Sequence, residues 1–243
     1  MKSYFVNNGK VKIHVLENGA ASSKTPSLLV ITGIWEPAER AIPILSGISS
    51  HVVTLSLRGR GLSSTPETGY GLEEHLSDIE AVVKHCELQN YCVLGFSRGA
   101  SYALGWSLKN QKGISGLIIG DQPPVHNKLS PDQVEFWTSI NYLGVPILNF
   151  MRRTAIEGLC KEAEQIDFST QLSQLKIPVS IFIGRDNESK VPSNISDETL
   201  KLYKNQLMSC EVVEFSKSGH MIPDDEPEKY IEEIVSFINK LKY

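Results

Sequence analysis

A serine between two glycines, Gly95-Phe96-Ser97-Arg98-Gly99, falls where a short apolar run, Tyr91–Phe96, gives way to a helically spaced set, Ala100, Ala103, Leu104 and Leu108. The G-x-S-x-G spacing is weak alone, and the strand-turn-helix context supplies its chemical meaning. On so sharp a turn the serine backbone is strained, Oγ is pushed above the strand end, and flanking glycines remove Cβ atoms that would clash in the bend. The following helix points free N–H groups and the positive end of its dipole at the same place, which suits developing negative charge. The chemistry implied is nucleophilic attack by Ser97. The bland alternative is a glycine-rich turn capped by a serine.

Two further segments could serve such a nucleophile. Ser218-Gly219-His220 follows the apolar run Glu211–Phe215 and precedes the last helical pattern, so His220 lies on a loop where an imidazole could reach a neighbouring strand end. The other five histidines have plainer places: His14 in an opening hairpin, His51 at the start of a strand, His75 and His85 on a helix, and His126 after Pro123-Pro124. Ile31-Thr32-Gly33-Ile34-Trp35 ends the run Leu28–Thr32, and a loop there can offer the Ile34 N–H to an oxyanion while Gly33 lets the main chain approach closely.

Positioning these residues requires a sheet whose strand ends converge. Ser3–Val6 and Lys10–Leu16 flank Asn7-Asn8-Gly9 and read as an antiparallel hairpin. Leu28–Thr32, His51–Leu57, Tyr91–Phe96, Gly116–Gly120, Val179–Ile183 and Glu211–Phe215 are apolar on both faces, as buried parallel strands are. Between them run helical stripes such as Leu72, Leu76, Ile79, Val82 and Val83, and Ile231, Ile234, Val235, Ile238 and Leu241. The fold expected is a doubly wound, mostly parallel α/β sheet of eight strands in a single domain, residues 1–243. Residues 122–175 break the alternation with helical, aromatic-rich sequence and read as a helical cap inserted in that domain. Asp224, Asp225 and Glu226 are expected to open the final helix as structural carboxylates.

Composition excludes several classes. The 243 residues are 41% hydrophobic and carry 24 basic against 28 acidic side chains, net −4, which is too apolar for disorder. The longest basic run is Arg152-Arg153, so no nucleic-acid partner is expected. Cys86, Cys92, Cys160 and Cys210 show no C-x-x-C spacing, so neither a zinc site nor a redox motif is expected. No apolar stretch approaches the ~20 residues that span a bilayer, and the N-terminus turns polar before a signal-peptide core could form. A cytoplasmic monomer or homodimer acting on a small molecule, without membrane association, is the expectation.

In their order along the chain these segments resemble the α/β-hydrolase fold family. An oxyanion loop at Thr32–Trp35, the loop Arg58-Gly59-Arg60-Gly61-Leu62-Ser63, the nucleophile elbow Gly95–Gly99, a cap, an acid near Asp186 and a late His220 follow the family order. The resemblance implies a Ser-His-acid triad with the Ile34 and Arg98 N–H groups as oxyanion hole, and neither a metal nor an organic cofactor. Thr32 stands where many members have histidine, and Ser56 replaces an aspartate often found two residues before the arginine. For the acid, Asp186 follows the strand Val179–Ile183, one residue before the usual position, which holds Asn187. Asp121, at the end of another core strand, is the rival.

A serine rather than an aspartate at the elbow favours acyl transfer over dehalogenase or epoxide chemistry. The expected activity is hydrolysis of an ester or thioester of a small, mostly apolar substrate through an acyl-enzyme, with Trp35, Phe136 and Trp137 around it. Carbon–carbon hydrolysis or lyase chemistry on the same triad, and a silent receptor or scaffold, are the alternatives.

Overall fold

The computed structural model describes residues 1–241. Eight strands form one sheet: β1 (Lys2–Asn8), β2 (Val11–Asn18), β3 (Ser27–Ile31), β4 (Val52–Ser56), β5 (Tyr91–Phe96), β6 (Ile114–Gly120), β7 (Val179–Gly184) and β8 (Cys210–Phe215). Their spatial order is β1-β2-β4-β3-β5-β6-β7-β8. The hairpin predicted around Asn7-Asn8-Gly9 forms, with Gly9 at φ +59, and β2 also runs antiparallel to β4. From β4 onward every pairing is parallel, so the carboxyl ends of β3 to β8 share one edge.

The strands are apolar on both faces because helices cover both. The helices are α1 (Ile42–Gly47), α2 (Leu72–His85), α3 (Arg98–Lys109), α4 (Pro131–Ser139), α5 (Arg153–Lys161), α6 (Asp197–Gln206), α7 (Ile222–Asp225) and α8 (Pro227–Lys240). Alternate residues of one strand enter different cores: Leu29 and Ile31 pack with Leu76 and Ile79 of α2 and Ala103 of α3, whereas Leu28 and Val30 join Leu45 of α1 and Ile234 and Ile238 of α8. That period of two within fully buried strands is the signature of a sheet covered on both sides.

Residues 121–178 leave the sheet between β6 and β7. They hold α4, α5 and two short two-stranded ladders, Val125–His126 with Ile166–Asp167 and Asn141–Tyr142 with Val145–Pro146. Helix α4 starts at a capping box, with Ser130 and Gln133 satisfying each other's backbone N–H groups and Pro131 in the first turn. Leu129, Val134, Ile147, Met151, Ile156 and Leu159 form a third apolar cluster with Ile34, Trp35 and Tyr70. It is anchored from below, since the Gly61 N–H donates to the Phe150 carbonyl (2.7 Å) and the Arg152 N–H to that of Gly59 (2.9 Å).

One expectation about elements fails. Asp224, Asp225 and Glu226 do not open the last helix: the first two end the short α7, and α8 begins after Glu226 with Pro227 in its first turn. Glu226 instead accepts from the Lys217 N–H and the Ser218 hydroxyl, both at 2.9 Å, so it braces the loop that carries His220.

Candidate active site

At the junction of β5 and α3, Ser97 has φ +53 and ψ −130, a conformation that L side chains rarely adopt. The turn is tight enough to make both glycines obligatory. A Cβ on Gly95 would stand 2.5 Å from the Ala100 Cα, and one on Gly99 would stand 2.3 Å from the carbonyl oxygens of Ile31 and Thr32. The Ser97 N–H donates to the Gly120 carbonyl at 2.8 Å, which leaves Oγ as its free polar group above the sheet.

His220 arrives from the loop after β8. The backbone approach is close, because a Cβ on Gly219 would meet the Val191 carbonyl at 2.1 Å. The His220 N–H donates to that same carbonyl at 2.8 Å. The imidazole stacks on Phe96, ring centroids 5.2 Å apart, and Nε2 lies 2.9 Å from Ser97 Oγ.

The acid at His220 is Asp121, which corrects the choice of Asp186. Asp121 Oδ2 stands 2.7 Å from His220 Nδ1, so Nδ1–H donates to the carboxylate and Nε2 is free to accept from the Ser97 hydroxyl. Asp121 is fully buried, at φ +45, and its carboxylate also accepts from the Gly184 N–H, the Ser193 hydroxyl and the Asn194 N–H. Asp186 is spent on its own loop. Its N–H donates to the Ser218 carbonyl and its Oδ1 accepts from the Glu188 N–H, both at 2.9 Å, an arrangement that turns the carboxylate back along the chain.

The segment after β3 is held from several sides. Glu36 Oε2 accepts from the Gly33 N–H at 2.7 Å, and the Thr32 hydroxyl donates to the Glu36 carbonyl at 2.9 Å. Arg60, buried at 1% exposure, donates from Nε to the Ile34 carbonyl at 2.9 Å, which fixes the peptide next to the proposed donor. Its neighbour Arg58 pairs with buried Asp78 at 2.7 Å, tying the arginine-glycine loop to α2. The Arg98 N–H lies in the first turn of α3, where it has no helical acceptor. Its guanidinium is not a pocket group: buried, it donates to the Tyr102 hydroxyl at 2.9 Å and approaches His126 Nε2 at 3.3 Å. Burial, and then the Arg98 charge, push His126 down to about 3.

Ser97 and His220 open into a cavity of about 530 Å³. Trp35, Phe136 and Trp137, the residues expected around the substrate, line it, and so do Ile34, Phe96, Ile140, Leu143 and Ile147. Three carboxylate residues on its wall, Glu36, Asp224 and Asp225, were not picked out from the sequence for this place. Glu36 comes from the segment after β3 and Asp224 and Asp225 from α7, and the fold alone unites them. Among the described residues no group of three or more His, Cys, Asp or Glu could hold a metal ion, and no helix is long and apolar enough to cross a membrane.

A family model described as "alpha/beta hydrolase fold" matches residues 26–141, the span from β3 through the elbow to α4. The chain is 24% identical to the N-formylmaleamate deformylase of Pseudomonas putida, over 98% of each chain. Among solved structures, the proline iminopeptidase of Mycobacterium smegmatis superimposes with TM-score 0.80 at 14% identity, over 99% of this chain and 98% of that one. An esterase from Exiguobacterium antarcticum gives TM-score 0.77 at 20% identity, over 98% and 100%. With the strand order, the strained serine elbow and the matched span in agreement, the chain has the alpha/beta hydrolase fold.

Proposed function

We propose that this protein is a serine hydrolase that cleaves an ester, thioester or related acyl bond of a small, mostly apolar substrate through an acyl-enzyme. The observation that carries the reading is the relay Ser97 Oγ, His220 Nε2, His220 Nδ1, Asp121 Oδ2, with contacts of 2.9 and 2.7 Å. In this reading His220 takes the Ser97 proton as Oγ attacks the carbonyl, and Asp121 stabilises the imidazolium that forms. The oxyanion is received by the N–H groups of Ile34 and Arg98, two dipoles already fixed before the charge develops. His220 returns the proton to the leaving group, then activates the water that releases the acyl group from Ser97.

Residues 122–175 act as the cap over this reaction. Trp35, Phe136, Trp137, Ile140 and Leu143 make the acyl side of the cavity apolar, which supports an alkyl or aryl acyl group. Amide cleavage is the second reading, favoured by the likeness to the N-formylmaleamate deformylase over nearly the whole chain. It needs the same relay and differs only in protonation of a poorer leaving group by His220. The test is a panel of neutral esters, thioesters and anilides of graded acyl length, run on wild type and Ser97→Ala. Turnover by wild type and its loss in the variant support the proposal, and equal rates overturn it.

A further inference from the structure

Arg40 is the guanidinium held against two of the carboxylates that line the cavity. Its Nε donates to Glu36 Oε1 at 3.1 Å, and its Nη2 reaches both Asp224 oxygens at 2.9 and 3.0 Å. The guanidinium carbon lies 4.7 Å from the Tyr142 ring centre and 5.7 Å from that of Trp35. Tyr142 closes the chain of contacts by donating its hydroxyl to Asp224 Oδ1 at 2.7 Å. Glu36, Asp224, Trp35 and Tyr142 all line the catalytic cavity, whereas Arg40 lines a small neighbouring one of about 20 Å³. The arginine thus stands behind the wall with its charge answered.

We propose that the site selects substrates whose acyl group carries no carboxylate, and that Asp224, by holding Arg40, sets that preference. The inference rests on the serine hydrolase reading for the location of the acyl group. Three carboxylates, Glu36, Asp224 and Asp225, stand against one guanidinium at this wall. An incoming carboxylate meets like charge there and finds Arg40 already paired, so binding it requires breaking a two-point contact first. A methyl terminus meets Trp35, Tyr142 and Ile140 instead. Burial first, and then the adjacent Asp224, Asp186 and Glu226 charges, hold the Asp225 carboxyl above its ordinary range. Loss of the Asp224 charge leaves Arg40 Nη2, directly behind the Asp224 carboxylate that lines the wall, without its anionic partner and turns the same corner into a carboxylate acceptor.

The test compares para-nitrophenyl pentanoate with para-nitrophenyl hydrogen glutarate, which share leaving group and chain length and differ in a methyl or carboxylate end. Wild type is expected to favour the pentanoate in kcat/KM by about 100-fold or more. Asp224→Asn should raise the glutarate-to-pentanoate ratio about tenfold, and Arg40→Met added to it should abolish that gain. Should Asp224→Asn fail to fold, Asp225→Asn is read instead, with a rise in the ratio of about threefold. Equal use of the two esters by wild type, an unchanged ratio in Asp224→Asn, or a gain that survives Arg40→Met overturns the proposal. Equilibrium binding of pentanamide and of glutarate monoamide to Ser97→Ala gives the same comparison without turnover. Absence of wild-type turnover therefore counts against the nucleophile, while tighter binding of glutarate monoamide than of pentanamide counts against the charge preference.

Discussion

His220 and Asp121 are 99 residues apart in the chain and 2.7 Å apart in space, Nδ1 to Oδ2. The contact joins the end of β6 to the loop after β8 across the intervening end of β7. The Gly184 N–H at the end of β7 donates to the same carboxylate, at 3.3 Å. Asp121→Asn keeps the shape but removes the charge that stabilises the imidazolium and fixes its tautomer. We expect kcat to fall by about 10⁴ with KM changed far less. Asp186→Asn should stay within about threefold of wild type, since that carboxylate serves its own turn. Steady-state kinetics on one good ester decides between them.

The elbow gives a stability prediction. Gly99→Ala places a Cβ 2.3 Å from two carbonyl oxygens, and backbone on both sides leaves no flexible atom to yield. We expect a loss of about 3 kcal/mol and a fall in Tm of roughly 10 °C, measured by calorimetry, together with loss of esterase activity.

Protonation of His126 gives a pH prediction. Its ring is buried, close to Arg98 and bonded to the Ser101 hydroxyl at 2.9 Å, and it titrates near 3 in the fold against 6.5 when unfolded. The depressed folded value means that stability is fully present above pH 6.5 and is lost as pH falls toward about 3, because the unfolded chain takes up a proton that the native state refuses. His75, buried and beside Arg60, is lowered in the same direction. His126 contributes a slope of up to about 1.4 kcal/mol per pH unit in that window, and His75 adds to it with the same sign below pH 6.5. Denaturant unfolding from pH 7 to 4 should show a shallower acid slope for His126→Gln than for wild type.

Acyl-chain preference should depend on the wall between Trp35 and α4. Trp137→Ala removes an aromatic face from the cavity, and we expect about a tenfold drop in kcat/KM for a hexanoyl ester with little change for an acetyl ester. A uniform drop across both would show that Trp137 supports the fold rather than the substrate.

The fold was legible because its signals are local. Apolar β-branched runs separated by helical stripes specify buried parallel strands, and Asn7-Asn8-Gly9 specifies its hairpin. Ser97 and His220 were readable for the same reason, since each sits at a strand end beside glycines whose absent Cβ atoms permit close backbone approach. The acid was not, because Asp121 and Asp186 both follow core strands and only loop geometry separates them. Asp186 is captured by the Glu188 N–H, while Asp121, at positive φ, turns toward His220. The Glu36, Arg40, Asp224 and Tyr142 contacts were also hidden: they bring together residues up to 184 positions apart, with no shared motif. Glu36, which accepts from the Thr32 hydroxyl and the Gly33 N–H and so holds the loop after β3, was hidden as well, since nothing in a linear spacing announces those contacts.

The claim on which the account rests is that Ser97 is the nucleophile, and active-site labelling tests it most directly. Wild type is incubated with a fluorophosphonate, and the modified peptide is identified by mass spectrometry. We predict stoichiometric modification at Ser97, strong slowing in His220→Ala and Asp121→Asn, and none in Ser97→Ala. A folded wild-type protein that resists the reagent, or one modified at a residue other than Ser97, would contradict the account.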